Sequence, residues 1–298
     1  MKNFKIAEPQ TLEQVTSLAA GDFPAFFLLA GGTDLLGEIK DEIINPDTVV
    51  DLRNIPDMAY IKEDRNGVRI GAMTTVAELS GNALINQKYP GLREAADAVA
   101  TPQIRNVATV GGNLCQRPRC WYYRDPLVEC RKKGGSRCYA SRGKNKYHAV
   151  IGGGICHIVH PSDLAPALIS MGADITIQTS QGEKTLPLGD FFTPPRANVR
   201  KETLLEPFDV VKEITLPLPQ QGEKSTYLKF KERGAWDFAV VSAAVTGIVS
   251  GTGFKDIRIV LGGVAPIPWR LTQAEGQIKG KTTSESLIRE AARGALEK

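Results

Sequence analysis

No run of 18 apolar residues interrupts the 298-residue chain, so no transmembrane helix is expected. Its first ten residues, MKNFKIAEPQ, have no apolar core of the kind a secretory leader needs, and no export signal is expected. Neither sign of charge dominates: 37 basic residues face 33 acidic ones for a net +4, too even a balance for a nucleic-acid surface. Neither G-x-G-x-x-G nor the P-loop G-x-x-x-x-G-K-[ST] occurs, which excludes the usual nicotinamide and nucleoside-triphosphate loops. There is no repeat of solenoid length and no low-complexity tract. Histidine is scarce, with only His148, His157 and His160. The five cysteines are an odd number, so a complete disulfide framework would leave one over, and without a leader metal ligation is the first reading.

What is present reads as an ordinary globular protein, 42% apolar and 23% charged, long enough for two or three domains. Strand patterns occur at residues 4–7, 26–30 and 48–52, and a hairpin is expected around Asn66-Gly67 from 59–63 and 68–72. Further strands are expected at 173–179 and 184–188, at 209–216, and at 226–232, 237–249 and 256–261. Thr11 begins a capping-box helix that Gly21 stops, and Thr74-Thr75 caps another through Leu79. Helices are also expected at 91–100, 163–171 and from about Ser284. Strands and helices mix without a βαβ rhythm, which predicts an α+β fold. The Pro/Gln/Gly-rich segment 217–222 is the expected domain boundary.

The chain is organised around residues 105–163. All five cysteines, Cys115, Cys120, Cys130, Cys138 and Cys156, fall here, between Gly111-Gly112-Asn113 and Gly152-Gly153-Gly154. Consecutive glycines let backbone N–H groups face one concavity and let a pyrophosphate approach closely. Ala30-Gly31-Gly32-Thr33-Asp34 has the same form as the turn at 110–113. The pair predicts a dinucleotide held by two loops from different lobes.

Four motifs then occur in order: Leu29-Ala-Gly-Gly-Thr-Asp-Leu35, Gly71-Ala-Met-Thr-Thr75, Ile104-Arg-Asn-Val-Ala-Thr-Val-Gly-Gly-Asn-Leu114 and Pro161-Ser-Asp-Leu-Ala-Pro-Ala-Leu168. Together they closely resemble the FAD-binding medium subunits of molybdenum hydroxylases, the family of xanthine and carbon monoxide dehydrogenases. The resemblance implies a two-lobed FAD-binding domain of the vanillyl-alcohol-oxidase (PCMH) type and a small C-terminal α+β domain. The divisions expected are 1–55, 56–220 with an insertion at about 115–156, and 221–298. It implies FAD contacts from Leu29, Ala30, Gly31, Gly32, Thr33, Asp34 and Leu35, and from Gly111, Gly112 and Asn113, which together take the pyrophosphate. Thr75, Asn106 and Thr109 support the cofactor, Ser162 and Asp163 lie by its ribityl or adenosine portion, and Lys231 by the flavin ring. The Gly-Gly-Val-Ala-Pro run at 262–266 is expected to be structural. Family members continue past the helix near 285–297, where this sequence ends.

The cysteine-rich insertion is similar to that in the flavin subunits of 4-hydroxybenzoyl-CoA reductase and periplasmic aldehyde oxidoreductase, which carry an extra [4Fe-4S] cluster. Cys120, Cys130, Cys138 and Cys156 would be its ligands, one thiolate per iron. Zinc also takes four cysteines, though its sites usually show a close C-x₂₋₄-C pair and these four have none. Disulfides and free thiols are the other readings. Cys115 is read as a buried neutral thiol able to exchange roles with Cys120. His157 is expected to face away from Cys156 on a strand, and His160 to pack by the cofactor. The basic side chains from Arg131 to Lys146 are read as a solvated face, with docking of an acidic carrier as the alternative.

The function implied is an electron-transfer flavoprotein subunit with no catalytic residue of its own for the organic substrate. The partners implied are a large molybdopterin-binding subunit and a small subunit with two [2Fe-2S] clusters, in a heterotrimer or a dimer of heterotrimers, and an external electron carrier. The expected compartment is the cytoplasm, or the periplasm through a partner's export signal. The rivals are a self-contained vanillyl-alcohol-oxidase-type flavin oxidase and a zinc-bearing interaction module.

Overall fold

The computed structural model describes residues 2–18 and 25–295, so the expected stop at Gly21 lies outside the described residues. Three sheets follow one another along the chain. Strands β1 (Lys5–Ala7), β2 (Phe26–Leu29) and β3 (Thr48–Asp51) form a parallel sheet in the order β1-β3-β2. Strands β4 (Ile61–Asp64), β5 (Gly67–Gly71), β6 (Asp174–Thr179), β7 (Gly182–Pro187) and β8 (Val210–Leu216) form an antiparallel sheet, β4-β5-β8-β6-β7. Strands β9 (Glu223–Phe230), β10 (Val241–Ser250), β11 (Gly253–Gly262) and β12 (Trp269–Arg270) form the third, also antiparallel. Among the described residues, no helix is long and apolar enough to cross a membrane.

Helices fill the space between the second and third sheets. Thr75 caps Val76–Gly81 in a complete capping box with Glu78, and Asn82 caps Ala83–Lys88 through Leu84 and Ile85. The helix Pro90–Asp97 lies against β9 so closely that a Cβ on Gly91 would come within 2.9 Å of the Thr226 backbone. Leu79, Ile85, Tyr89 and Leu92 from these helices, Leu164 and Leu168 from the helix Leu164–Ser170, and Ile175 and Ile177 from β6 are all sealed from solvent. Each such aliphatic side chain contributes about 1.5–3 kcal/mol by burial. Tyr227 and Ala244 of the third sheet join this core, while Ile257, Ala274, Ile278 and Ala291 form a smaller cluster on the far side of that sheet.

Several expectations shift. Val110–Leu114, read as a glycine turn, is a short helix: the Thr109 side chain accepts the Gly112 N–H and starts it. Residues 237–240 precede β10 rather than belonging to it. The helices Ala83–Lys88 and Thr272–Ile278 were not foreseen, being short and only partly buried. His157 lies outside any strand, so period-two alternation does not apply to it.

The insertion is irregular, with one short helix, Trp121–Arg124, and 3₁₀ turns at Arg131–Lys133 and Tyr139–Ser141. Polar contacts attach it to the body. Asp34 takes Arg119 and Arg124 (2.7 Å), and Glu202 takes Arg117 (2.7 Å) and Lys132. The Tyr123 hydroxyl donates to Glu38 at 2.7 Å. At its exit, the Val264 carbonyl accepts from Val150 and Ile151 at 2.9 and 3.1 Å, so the glycine run at 262–266 grips the insertion.

Candidate functional site

The first glycine loop leaves β2 and enters the helix Leu35–Lys40. Its four successive N–H groups, from Gly31, Gly32, Thr33 and Asp34, meet no acceptor among the described residues. Four successive donors without a protein partner, on partly exposed residues, are free to bond water or an anion, and a row of this kind suits an anion. Gly32 has φ +72°, where a side chain is strained, and a Cβ on Gly31 would collide with the Val107 carbonyl oxygen. The second loop is different. The Gly111 N–H is taken by the Ala72 carbonyl at 2.9 Å, and a Cβ on Gly112 would lie 2.9 Å from the Thr109 hydroxyl. Its glycines allow close approach rather than offering free donors.

A cavity of about 430 Å³ lies between these loops, lined by Ala30 to Leu35, Thr109, Gly112 and Cys115. It shares Thr33, Asp34, Gly112 and Gln116 with a second of about 370 Å³, which runs past Asn113 and Asp163 to Trp236 and Phe238. Both sizes suit an organic ligand. A third cavity, of about 170 Å³, adjoins the second at Arg119, Pro161, Asp163, Asp237 and Phe238, and ends against Cys120 and His148. Those last two residues also line a fourth cavity, together with Cys130, Cys138, Cys156 and His157. Four neighbouring spaces thus extend from the glycine loops to the cysteines, the last of them, about 10 Å³, nearly closed and walled off by Cys120 and His148.

Of the expected cofactor residues, the structure gathers Ala30 to Leu35, Thr109, Gly112, Asn113, Ser162 and Asp163 around these cavities, while Gly111 lines a separate space of about 120 Å³ with Ala72 and Leu205. Leu29 ends β2, and its side chain packs beneath Gly32. Thr75, exposed Asn106 and Lys231 line none of the cavities. Ser162 donates to the Asn113 side-chain oxygen at 2.6 Å and so joins the second loop to the Asp163 turn.

Asp34 and Asp163 are engaged by protein. Burial opposes ionisation of Asp34, but Arg119, Arg124 and the Arg117 N–H outweigh it and hold the carboxyl below its ordinary value. Asp163 accepts from Tyr227 at 2.6 Å and pairs with Lys229 at 2.7 Å, and its deep burial raises its pKa. The lysine paired with Asp163 is Lys229, its side chain 3% exposed, which the sequence reading missed; Lys231 acts on the same carboxyl only through its charge. The signal was period two along β9: Tyr227 and Lys229 share its inward face.

The cysteine site brings Cys120, Cys130, Cys138 and Cys156 to one cavity. A sulfur–sulfur hydrogen bond to Cys156 lowers the Cys138 thiol to about 5 and raises that of Cys156. Of the two, only Cys138 is moved towards the thiolate form that metals bind; Cys156 keeps its proton, and burial raises the Cys120 thiol. Among the described residues, no three His, Cys, Asp or Glu side chains are arranged to hold one metal ion. Cys115 lies apart, on the glycine-loop cavities, with its thiol pushed up to about 12 by burial. His157, expected to face away, lines the cysteine cavity. His160 is buried against Phe192, its ring centroid 4.7 Å away, and burial lowers it to about 4.

The family described as the FAD binding domain in molybdopterin dehydrogenase matches residues 2–125 and 140–219. The CO dehydrogenase flavoprotein C-terminal domain matches 225–298. The gap at 126–139 holds Cys130 and Cys138. The chain is 37% identical to the aldehyde oxidoreductase FAD-binding subunit PaoB of Escherichia coli, over 88% of this chain and 82% of that one. It is 29% identical to the carbon monoxide dehydrogenase medium chain of Hydrogenophaga pseudoflava, over 90% and 77%. A solved carbon monoxide dehydrogenase from Hydrogenophaga pseudoflava superposes with a TM-score of 0.78 at 27% identity, over 98% of this chain and 85% of that one.

Proposed function

The chain belongs to the family of FAD-binding medium subunits of molybdenum hydroxylases, and from that premise we propose that it relays electrons through FAD and an extra [4Fe-4S] cluster in a molybdenum-dependent oxidoreductase. The observation that supports this reading is the row of adjoining cavities from four backbone N–H groups without a protein partner at Gly31 to Asp34 to the small cavity lined by four cysteines. When bound, FAD supplies the exchange between two-electron and one-electron chemistry, and the cluster supplies a one-electron centre.

The chain's own work is binding, orientation and exclusion of water. Gly31 to Asp34 offer their N–H groups to the pyrophosphate, with Ala30 and Leu35 flanking it and Gly112 giving it room. Thr109 and Asn113 fix the second loop. Asp163, held by Tyr227 and Lys229, and Ser162 present polar groups in the adjoining cavity. Cys120, Cys130, Cys138 and Cys156 hold the cluster. The same reading divides the chain at about 55 and 220 and places it in the cytoplasm, or in the periplasm on a partner's signal. Its partners are a large molybdopterin-binding subunit and a small [2Fe-2S] subunit, in a heterotrimer or a dimer of heterotrimers, with an external electron carrier. Relatives named as a medium chain or an FAD-binding subunit support that assembly.

Serine replacements at Cys120, Cys130, Cys138 and Cys156 test the assignment. Each is expected to remove iron from the purified protein and to spare its FAD, while Cys115→Ser keeps both. Retention of iron in all four replacements would contradict the ligand set.

A further inference from the structure

His157 and His148 both line the cysteine cavity, and His148 places a ring nitrogen against a cysteine sulfur. Its Nε2 lies 3.2 Å from the Cys120 sulfur, within hydrogen-bond reach. The ring is held edge-on to Trp121, with centroids 5.2 Å apart, and tilted against Tyr122 at 6.0 Å. His148 is 7% exposed, and its Nδ1 is buried with no acceptor among the described residues. A neutral imidazole carries one proton, and the hydrogen-bond network decides where. With nothing for Nδ1–H to meet, the proton belongs on Nε2, facing sulfur. The backbone N–H groups of Tyr122 and Tyr123 also act on this sulfur.

The position of this pair matters as much as its contact. Cys120 and His148 line both the cavity that continues the glycine-loop cleft and the cavity that holds the other three cysteines. They form the wall between the two. Hydrogen bonds to a ligating sulfur stabilise the reduced, more negative cluster and raise its potential. We propose that His148 is a positioning residue for Cys120, its Nε2–H donating to the sulfur on the flavin side of the cluster and making that cluster easier to reduce. This rests on the four-cysteine reading above.

The test uses the full chain, prepared anaerobically as wild type, His148→Leu and His148→Gln, with iron counted per chain and the cluster titrated by electron paramagnetic resonance. Leucine keeps the packing and loses the donor, whereas glutamine keeps an N–H. The expected result is full iron in all three. The leucine variant should show about a tenfold lower reduced-to-oxidised ratio at the wild-type midpoint, about 59 mV for one electron, with glutamine closer to wild type. An iron-loaded leucine variant with the wild-type midpoint overturns the proposal. Should leucine lose iron, a loaded glutamine variant with a near-wild-type midpoint supports it. Iron lost from both would make His148 a ligand and overturn the positioning role. Wild-type protein without iron removes the four-cysteine reading itself, and this inference with it.

Discussion

Asp34 carries two tasks at once: its backbone N–H belongs to the glycine loop, and its carboxylate holds Arg119 and Arg124 of the insertion. Because the folded carboxyl lies below its ordinary value, its contribution to stability is present above the unfolded value, near pH 4. That contribution is lost as pH falls through the folded one. Asp34→Asn is therefore expected to cost about 3 kcal/mol at pH 7, the low end for breaking a buried pair. The gap from wild type should narrow below about pH 4, as urea titrations across that range would show. A gap independent of pH would contradict the assignment. Lys229 and Asp163, 3% and 7% exposed, make a second buried pair. Lys229→Met alone is expected to cost about 3–5 kcal/mol, and the double variant with Asp163→Asn less than the sum of the singles. Additive losses in a double-mutant cycle would show that the two do not act as a pair. At this scale the sequence was partly legible. The glycine motifs announced the cleft, but Lys229 and Lys231 have the same parity and chemistry. Only the end of β9 at Phe230 distinguishes the one that is buried on Asp163.

Elements were legible where periodicity and caps agreed. The helix cap at Thr75 and the hairpin at Asn66-Gly67 form as read, since both are local chemistry. The helix Val110–Leu114 was hidden because two glycines imitate a turn. What makes it helical is the Thr109 hydroxyl accepting the Gly112 N–H at 3.1 Å. Thr109→Ala is accordingly expected to lower stability by about 1 kcal/mol, the ordinary cost of losing such a cap. It should also weaken FAD binding, because Gly112 and Asn113 face the cleft. Thermal melts with and without added FAD separate the effects, and unchanged FAD affinity would exclude the second loop from the cofactor site. The insertion was illegible as structure for a physical reason: among its described residues it has little regular structure, and Asp34, Glu38 and Glu202, far away in sequence, fix its course.

Across the whole molecule, three sheets wrap one shared core, and the site lies where loops from all three meet. The Gly31 loop follows β2, Gly112 and Asp163 flank the insertion, and Phe238 precedes β10. This arrangement predicts that flavin and iron are separable. Chelation of iron should leave FAD bound, since the glycine loops and the cysteines line different cavities. Loss of both on chelation would mean that the insertion depends on its metal to shape the cleft. Family and domain order were legible from four ordered motifs, because each marks a backbone constraint. The side-by-side placement of the cavities was not, because it arises only when the sheets assemble. The most direct test is an anaerobic absorption spectrum of the purified chain, with FAD, iron and acid-labile sulfide quantified. The account predicts flavin bands, broad absorption near 400 nm, and about four irons and four sulfides per chain. A folded protein with flavin alone would contradict the cluster, and one with neither would contradict the reading of both sites.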